Sequence, residues 1–163
     1  MQNYTDSKFD SAFSNSKFRK MDEFMKIAIE EAKAGLAEGG IPIGSALVKD
    51  GKLVAKGRNK RVQEQNPIFH GEMDCLNNAG RIGSFKNTVI YSTLMPCYMC
   101  AGTIVQFKIP KVIVAESKTF SGAREFMESH GVEVIDLEDA ECIKMMTDFI
   151  DNNHDLWNED IGE

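Results

Sequence analysis

The sequence predicts an α/β fold: a three-layer α/β/α sandwich around a central, mixed, five-stranded sheet. Three observations lead there. Apolar residues recur at helical spacing in some segments and gather into short runs of β-formers in others. The two kinds alternate, in the order helix, hairpin, helix, strand, helix, strand, helix, strand, helix. Asp50-Gly51 stands between two of the short runs, a pair that suits a tight hairpin turn. Strands interleaved with helices form a sheet that needs covering on both faces.

Taken in order, residues 1–16 are rich in Ser, Asp, Asn and Lys and read as a loosely ordered arm. Residues 17–163 make one domain. Phe18 to Glu38 is expected to be a helix, because Met21, Phe24, Met25, Ala28, Ala32 and Leu36 form one apolar stripe. Gly39-Gly40 ends it. The hairpin strands follow at Ile43–Val48 and Lys52–Gly57, with Asn59 and Arg61 in the next loop. A helix runs from His70 to Asn78, and Thr88–Ser92 is a strand. Pro96 opens a helix through Phe107, since proline suits the first helical turn. Val112–Ala115 and Val132–Ile135 are strands, with a helix at Ala123–Ser129 between them and another at Glu138–Ile150. Asp151–Glu163 reads as a short acidic tail carrying the single Trp.

Bulk composition narrows the function. The 163 residues, 42% hydrophobic, suit a single domain with a proper core. Nineteen Lys and Arg against 25 Asp and Glu leave −6, a poor balance for gripping a polyanion. No nucleic-acid partner and no membrane partner is therefore expected, and no segment is apolar and long enough to span a bilayer. Four cysteines are too few for a disulfide scaffold, and the start lacks the apolar core of a signal peptide. A reducing, cytoplasmic setting is the expectation. There, a close Cys pair points to a metal or redox site.

Two short motifs carry the chemistry: His70-Gly71-Glu72, and Pro96-Cys97-Tyr98-Met99-Cys100. A Cys-x-x-Cys pair at a helix start brings two sulfurs together where the helix N-terminus favours thiolates. Two thiolates and an imidazole suit zinc, and three protein ligands leave a fourth position open, as in a catalytic site. A water bound there ionises near neutral pH. Glu72, two residues after His70, can stand beside the metal and act as general acid and base. Each motif alone is ambiguous, since a redox pair also reads Cys-x-x-Cys. Together, each at a helix start, they resemble the signature of the zinc nucleobase deaminases. His130 and His154 lack such companions and are expected on the surface, and Cys75 and Cys142 are expected to be buried thiols.

With these motifs the chain resembles the cytidine deaminase-like superfamily, and within it the fungal-type cytosine deaminases. The likeness runs from about Met21 to Glu163. It is carried by Glu38-Gly39-Gly40-Ile41-Pro42-Ile43-Gly44, by Gly57-Arg58-Asn59 with His70-Gly71-Glu72, by Thr93 to Cys100, and by the tail Trp157 to Glu163. The resemblance implies one zinc per subunit on His70, Cys97 and Cys100, Glu72 as the catalytic group, and a homodimer. It also implies a free nucleobase as the small-molecule substrate, cytosine first, hydrolysed to uracil and ammonia. Asn59, the backbone N–H of Gly71, and Asp160 would hold the base. Trp157, Phe120 and Ile43 would wall it in, with the C-terminal segment as a lid. A dimer contact is expected from apolar surface on the third helix, around Ile104 and Phe107. Three places depart from the fungal pattern: Met95, the approach Asn66 to Phe69, and the region Ser117 to Arg124. These bear on the substrate, and isocytosine, 5-substituted cytosines, creatinine and guanine stand as alternatives. A zinc-stabilised scaffold is the non-enzymatic one.

Overall fold

The computed structural model describes residues 10–163, with side chains from Glu23 onward. Its long first helix, α1, spans Asp10–Ala37. The hairpin is β1 (Gly44–Lys49) and β2 (Lys52–Arg58), turning at Asp50-Gly51 with both residues at positive φ. There follow α2 (Gly71–Ala79), β3 (Thr88–Ser92), α3 (Tyr98–Gln106), β4 (Lys111–Val114), α4 (Arg124–Ser129), β5 (Glu133–Asp136), α5 (Ala140–Asn152) and α6 (His154–Ile161).

The sheet order is β2-β1-β3-β4-β5. β1 pairs antiparallel with both β2 and β3, while β3, β4 and β5 run parallel. The expected mixed, five-stranded sheet is therefore what forms. Alternate side chains feed two cores, as the pleat requires. Leu47, Ile90, Val112 and Val114 pack under α2, α3 and α4 with Cys75, Ala101, Ile104 and Met127. Ala46, Val48, Tyr91 and Ile113 face the other way, against Met25 and Ala28 of α1 and Cys142 of α5. Helices on both faces complete the three layers. Cys75 and Cys142 are fully buried, and His130 and His154 are exposed, as expected.

Close approach fixes α2 against the hairpin. A Cβ on Gly57 would stand 2.3 Å from the backbone nitrogen of Cys75, so only glycine lets the helix lie this near β2. That contact sets where the first turn of α2, with His70 before it, meets the end of the sheet.

Three expectations are corrected. The arm expected over residues 1–16 lies outside the described residues for 1–9, and 10–16 already form the first turns of α1. No Gly or Pro interrupts Asp10–Ala34, so a helix once nucleated propagates through this stretch. The acidic tail, for which no helix was expected, supplies the end of α5 and then α6, ended by Gly162 in the left-handed conformation. Ile104 of α3 is core, not surface; the exposed apolar residues of this helix stand at its two ends, Tyr98 at the start and Phe107 just past the last turn.

Candidate active site

The two motifs converge at one end of the parallel strands. His70 is the residue before α2 and Cys97 the residue before α3, both in extended conformation. Cys100 follows one turn into α3. One ligand atom from each of His70, Cys97 and Cys100 lies within 4.8 Å of the others. His70 presents Nδ1 to this cluster, 3.4 Å from the Cys97 sulfur. The chemistry of the set, one imidazole and two sulfurs in a half-closed corner, fits a single zinc with one position left for a small ligand.

Glu72 is buried beside the cluster. Its Oε1 accepts a hydrogen bond from the Ser92 hydroxyl at 2.9 Å, and its Oε2 lies 3.5 Å from the Cys100 sulfur. Burial raises its pKa above the ordinary carboxylate range, and the neighbouring Cys97 adds to the rise. The thiols divide their protons unequally. Cys97, hydrogen-bonded by the Cys100 thiol and helped by His70, is drawn down to about 4, whereas Cys100 is held well above its usual value by Cys97 and by burial. For His70, burial opposes the charge, but Cys97 and the Asp160 carboxylate outweigh it and raise the pKa.

Opposite the cluster, α6 closes the pocket. Trp157 is buried among Ile41, Ile43, Leu94, Met146 and Phe149. Phe120 meets its ring edge to face, with centroids 5.7 Å apart and planes at 88°. One turn on, Asp160 points inward. Its Oδ1 accepts from Asn59 Nδ2 at 2.8 Å and lies 3.6 Å from His70 Nε2. Burial pushes the Asp160 pKa up, against the pull of His70 and Asn59. Gly71 backs on to Ile43, where a Cβ would come within 3.1 Å of the Ile43 carbonyl oxygen.

Ile43, His70, Glu72, Leu94, Met95, Cys97, Phe120, Trp157, Asp160 and Ile161 enclose a cavity of only about 10 Å³. Asn59 and Gly71 stand immediately behind this lining, through their contacts with Asp160 and Ile43. All ten residues singled out in the sequence therefore come together. Missing from that reading were Ser92, whose hydroxyl becomes visible only once β3 is placed beside α2, and Leu94 and Ile161. Leu156, Trp157, Asp160 and Ile161 do carry a helical i, i+1, i+4, i+5 spacing that foretells an inward face on α6. A roomier groove, about 530 Å³ between α1 and α5, holds none of the metal-ligating groups.

The comparisons with known proteins agree with this geometry. Residues 19–116 match the family described as the cytidine and deoxycytidylate deaminase zinc-binding region. The chain is 42% identical over 142 residues to the cytosine deaminase of Candida albicans, covering 85% of this chain and 95% of that protein. It is 35% identical over 138 residues to a tRNA-specific adenosine deaminase of Streptococcus pyogenes, covering 77% and 87%. A solved structure from work on A-to-I editing by tRNA:A34 deaminases superposes with a TM-score of 0.64 at 26% identity, over 72% of this chain and 98% of that one. No helix among the described residues is long and apolar enough to cross a membrane. With the family model matching more than half of its length and a 42%-identical relative matching most of it, the chain belongs to the zinc-dependent cytidine and deoxycytidylate deaminase family, hydrolases of C–N bonds.

Proposed function

We propose that this protein hydrolyses the exocyclic amine from a free, flat cyclic amidine, with cytosine the first substrate and uracil and ammonia the products. The observation that carries the reading is the pocket itself. Its floor holds the metal-ligating set and Glu72, its walls are Phe120, Trp157 and Ile43, and the chain's own α6 covers it. Such a chamber suits a small base gripped between apolar walls by a few convergent polar groups. The 42%-identical relative is a cytosine deaminase, which supports the same substrate class.

His70, Cys97 and Cys100 would hold the zinc, which would supply Lewis-acid activation of a water. Glu72 takes a proton from the attacking water as the water oxygen bonds to the amidine carbon. The same carboxyl delivers that proton to the adjoining ring nitrogen, then carries the remaining proton of the attacking oxygen to the amine as that oxygen becomes the carbonyl, the C–N bond breaks and ammonia leaves. Its raised pKa suits a group that must both accept and donate. Ser92 holds Oε1, leaving Oε2 on the side of the metal ligands. Asp160 and Asn59 orient the base, the Gly71 N–H adds a donor, and Trp157 and Phe120 exclude water. The cavity is narrow, and an outward movement of α6 or of the Phe120 loop would widen it for a pyrimidine.

Some relatives act on tRNA, but here the net charge of −6 and the covering helix favour a free base over a polynucleotide. A cytoplasmic homodimer belongs to the same proposal, with Tyr98 (73% exposed) and Phe107 (47%) as the dimer surface. Ammonia release from cytosine, 5-methylcytosine, isocytosine, creatinine, guanine and cytidine, with zinc content measured on the same sample, tests the reading. Turnover of cytosine without cytidine supports it. Turnover of another member alone moves the specificity to Met95 and Phe69, and silence on all six from zinc-loaded protein overturns it.

A further inference from the structure

The loop after β2 holds a cation that none of the chemistry above uses. Arg61 is only 10% exposed in its side chain, and each part of it is engaged. Its Nε donates to the Pro67 carbonyl at 2.9 Å, which anchors the head to its own loop. From there Nη1 lies 3.6 Å from Asp160 Oδ1 and Nη2 lies 3.8 Å from Glu159 Oε1, two neighbouring carboxylates of α6. Its backbone N–H donates to Asn59 Oδ1 at 3.1 Å, leaving the Asn59 amide nitrogen directed at Asp160. Among the described residues, the side-chain polar contacts from α6 to the rest of the molecule all end on Asn59, Arg61 and His70. Arg61 is the permanent cation of the three.

We propose that Arg61 is a positioning residue that latches α6 shut over the pocket and aims Asp160 into it. The inference rests on the α6-covered pocket being the substrate site. A planar fork serves here where a point charge does not, because the head must reach one carbonyl and two carboxylates in fixed directions. Glu159 and Asp160 face the same loop, so without the guanidinium the helix C-terminus keeps its apolar anchor, Trp157, but loses the cation that ties these two carboxylates to the loop. An eight-residue helix that keeps the Asn59–Asp160 hydrogen bond but loses the cation bridging its two last carboxylates to the loop opens more often. Opening moves Asp160 away from Asn59, which weakens the grip on the base before it affects the proton transfers at Glu72.

Hydrogen exchange on the zinc-loaded full chain tests this, comparing parent, Arg61→Gln and Arg61→Lys. The latch predicts amides of residues 154–163 exchanging at least tenfold faster in Arg61→Gln, an intermediate rate in Arg61→Lys, and no change in α5 or in bound zinc. With cytosine as substrate, KM rises tenfold or more while kcat stays within about threefold. Unchanged exchange in α6, or equal acceleration in every helix, overturns the latch. So does a rise in KM with α6 still protected, which would make Arg61 a direct ligand of the base. A parent silent on cytosine, combined with faster α6 exchange in Arg61→Gln, leaves the latch standing and overturns the substrate reading alone.

Discussion

Replacing Glu72 with Gln separates the demands of chemistry from those of folding. The side chain is buried, and Gln keeps its shape and an oxygen for the Ser92 hydroxyl. It removes the ability to carry a proton between water, ring nitrogen and leaving amine. General acid–base groups contribute about 10² to 10⁴ in rate, so kcat is expected to fall by that factor, roughly 3 to 5 kcal/mol of transition-state stabilisation. Zinc should stay at one per chain, because Glu72 is not among the three clustered ligands. Stability should move the other way. Burial raises the Glu72 pKa above its unfolded value, so as pH climbs past the ordinary carboxylate range the unfolded chain loses a proton that the folded one keeps. The folded state of the metal-free parent is therefore penalised at neutral pH, and the Gln variant is not. Its Tm after chelation should equal or exceed the parent's at pH 7, with the gap closing as pH falls towards 4. Ammonia release, metal analysis and melting curves at several pH values cover all three. Retained activity, or lost zinc, would refute the role assigned to Glu72.

Trp157→Ala should loosen α6 more than the domain: buried Trp truncations cost about 3 to 5 kcal/mol in a core. Here KM should rise while Tm falls by less than that cost implies, as read by substrate titration and melting. In metal-free protein, iodoacetamide should modify Cys97 first at pH 6, since its thiol is drawn down to about 4 while burial pushes Cys75 up to about 12. Mass spectrometry of equal modification at both would contradict this. Gly57→Ala should cost about 1 to 3 kcal/mol and weaken zinc retention, because its Cβ meets the Cys75 backbone at 2.3 Å. Gly102→Ala in α3, with nothing within 4 Å, should be neutral or gain up to about 1 kcal/mol, and paired Tm measurements decide.

The metal site was legible because its information is local. Cys97 and Cys100 are one helical turn apart, and His70 and Glu72 share the start of another helix, so spacing alone puts their reactive atoms at helix N-termini. The hairpin at Asp50-Gly51 and the stripe on α1 were legible for the same reason. The start of α1 was misplaced because composition, which suggested an arm, says little about where a helix without breakers begins. Ile104 was misplaced because periodicity shows that a helix has an apolar face, not how much of it the sheet covers.

The sequence by itself determined the spacing that gathers His70, Cys97 and Cys100 with Glu72 beside them, and the alternation of strands and helices. Each depends on residues within a few positions of one another. Only the tertiary structure decided that the C-terminal segment forms the helix α6, that Ser92 holds Glu72, and that Asn59 and Arg61 meet Asp160 about a hundred residues further along the chain. Contacts at that separation follow from the order β2-β1-β3-β4-β5 and from which end of the sheet each loop leaves, and no local pattern of side chains encodes them.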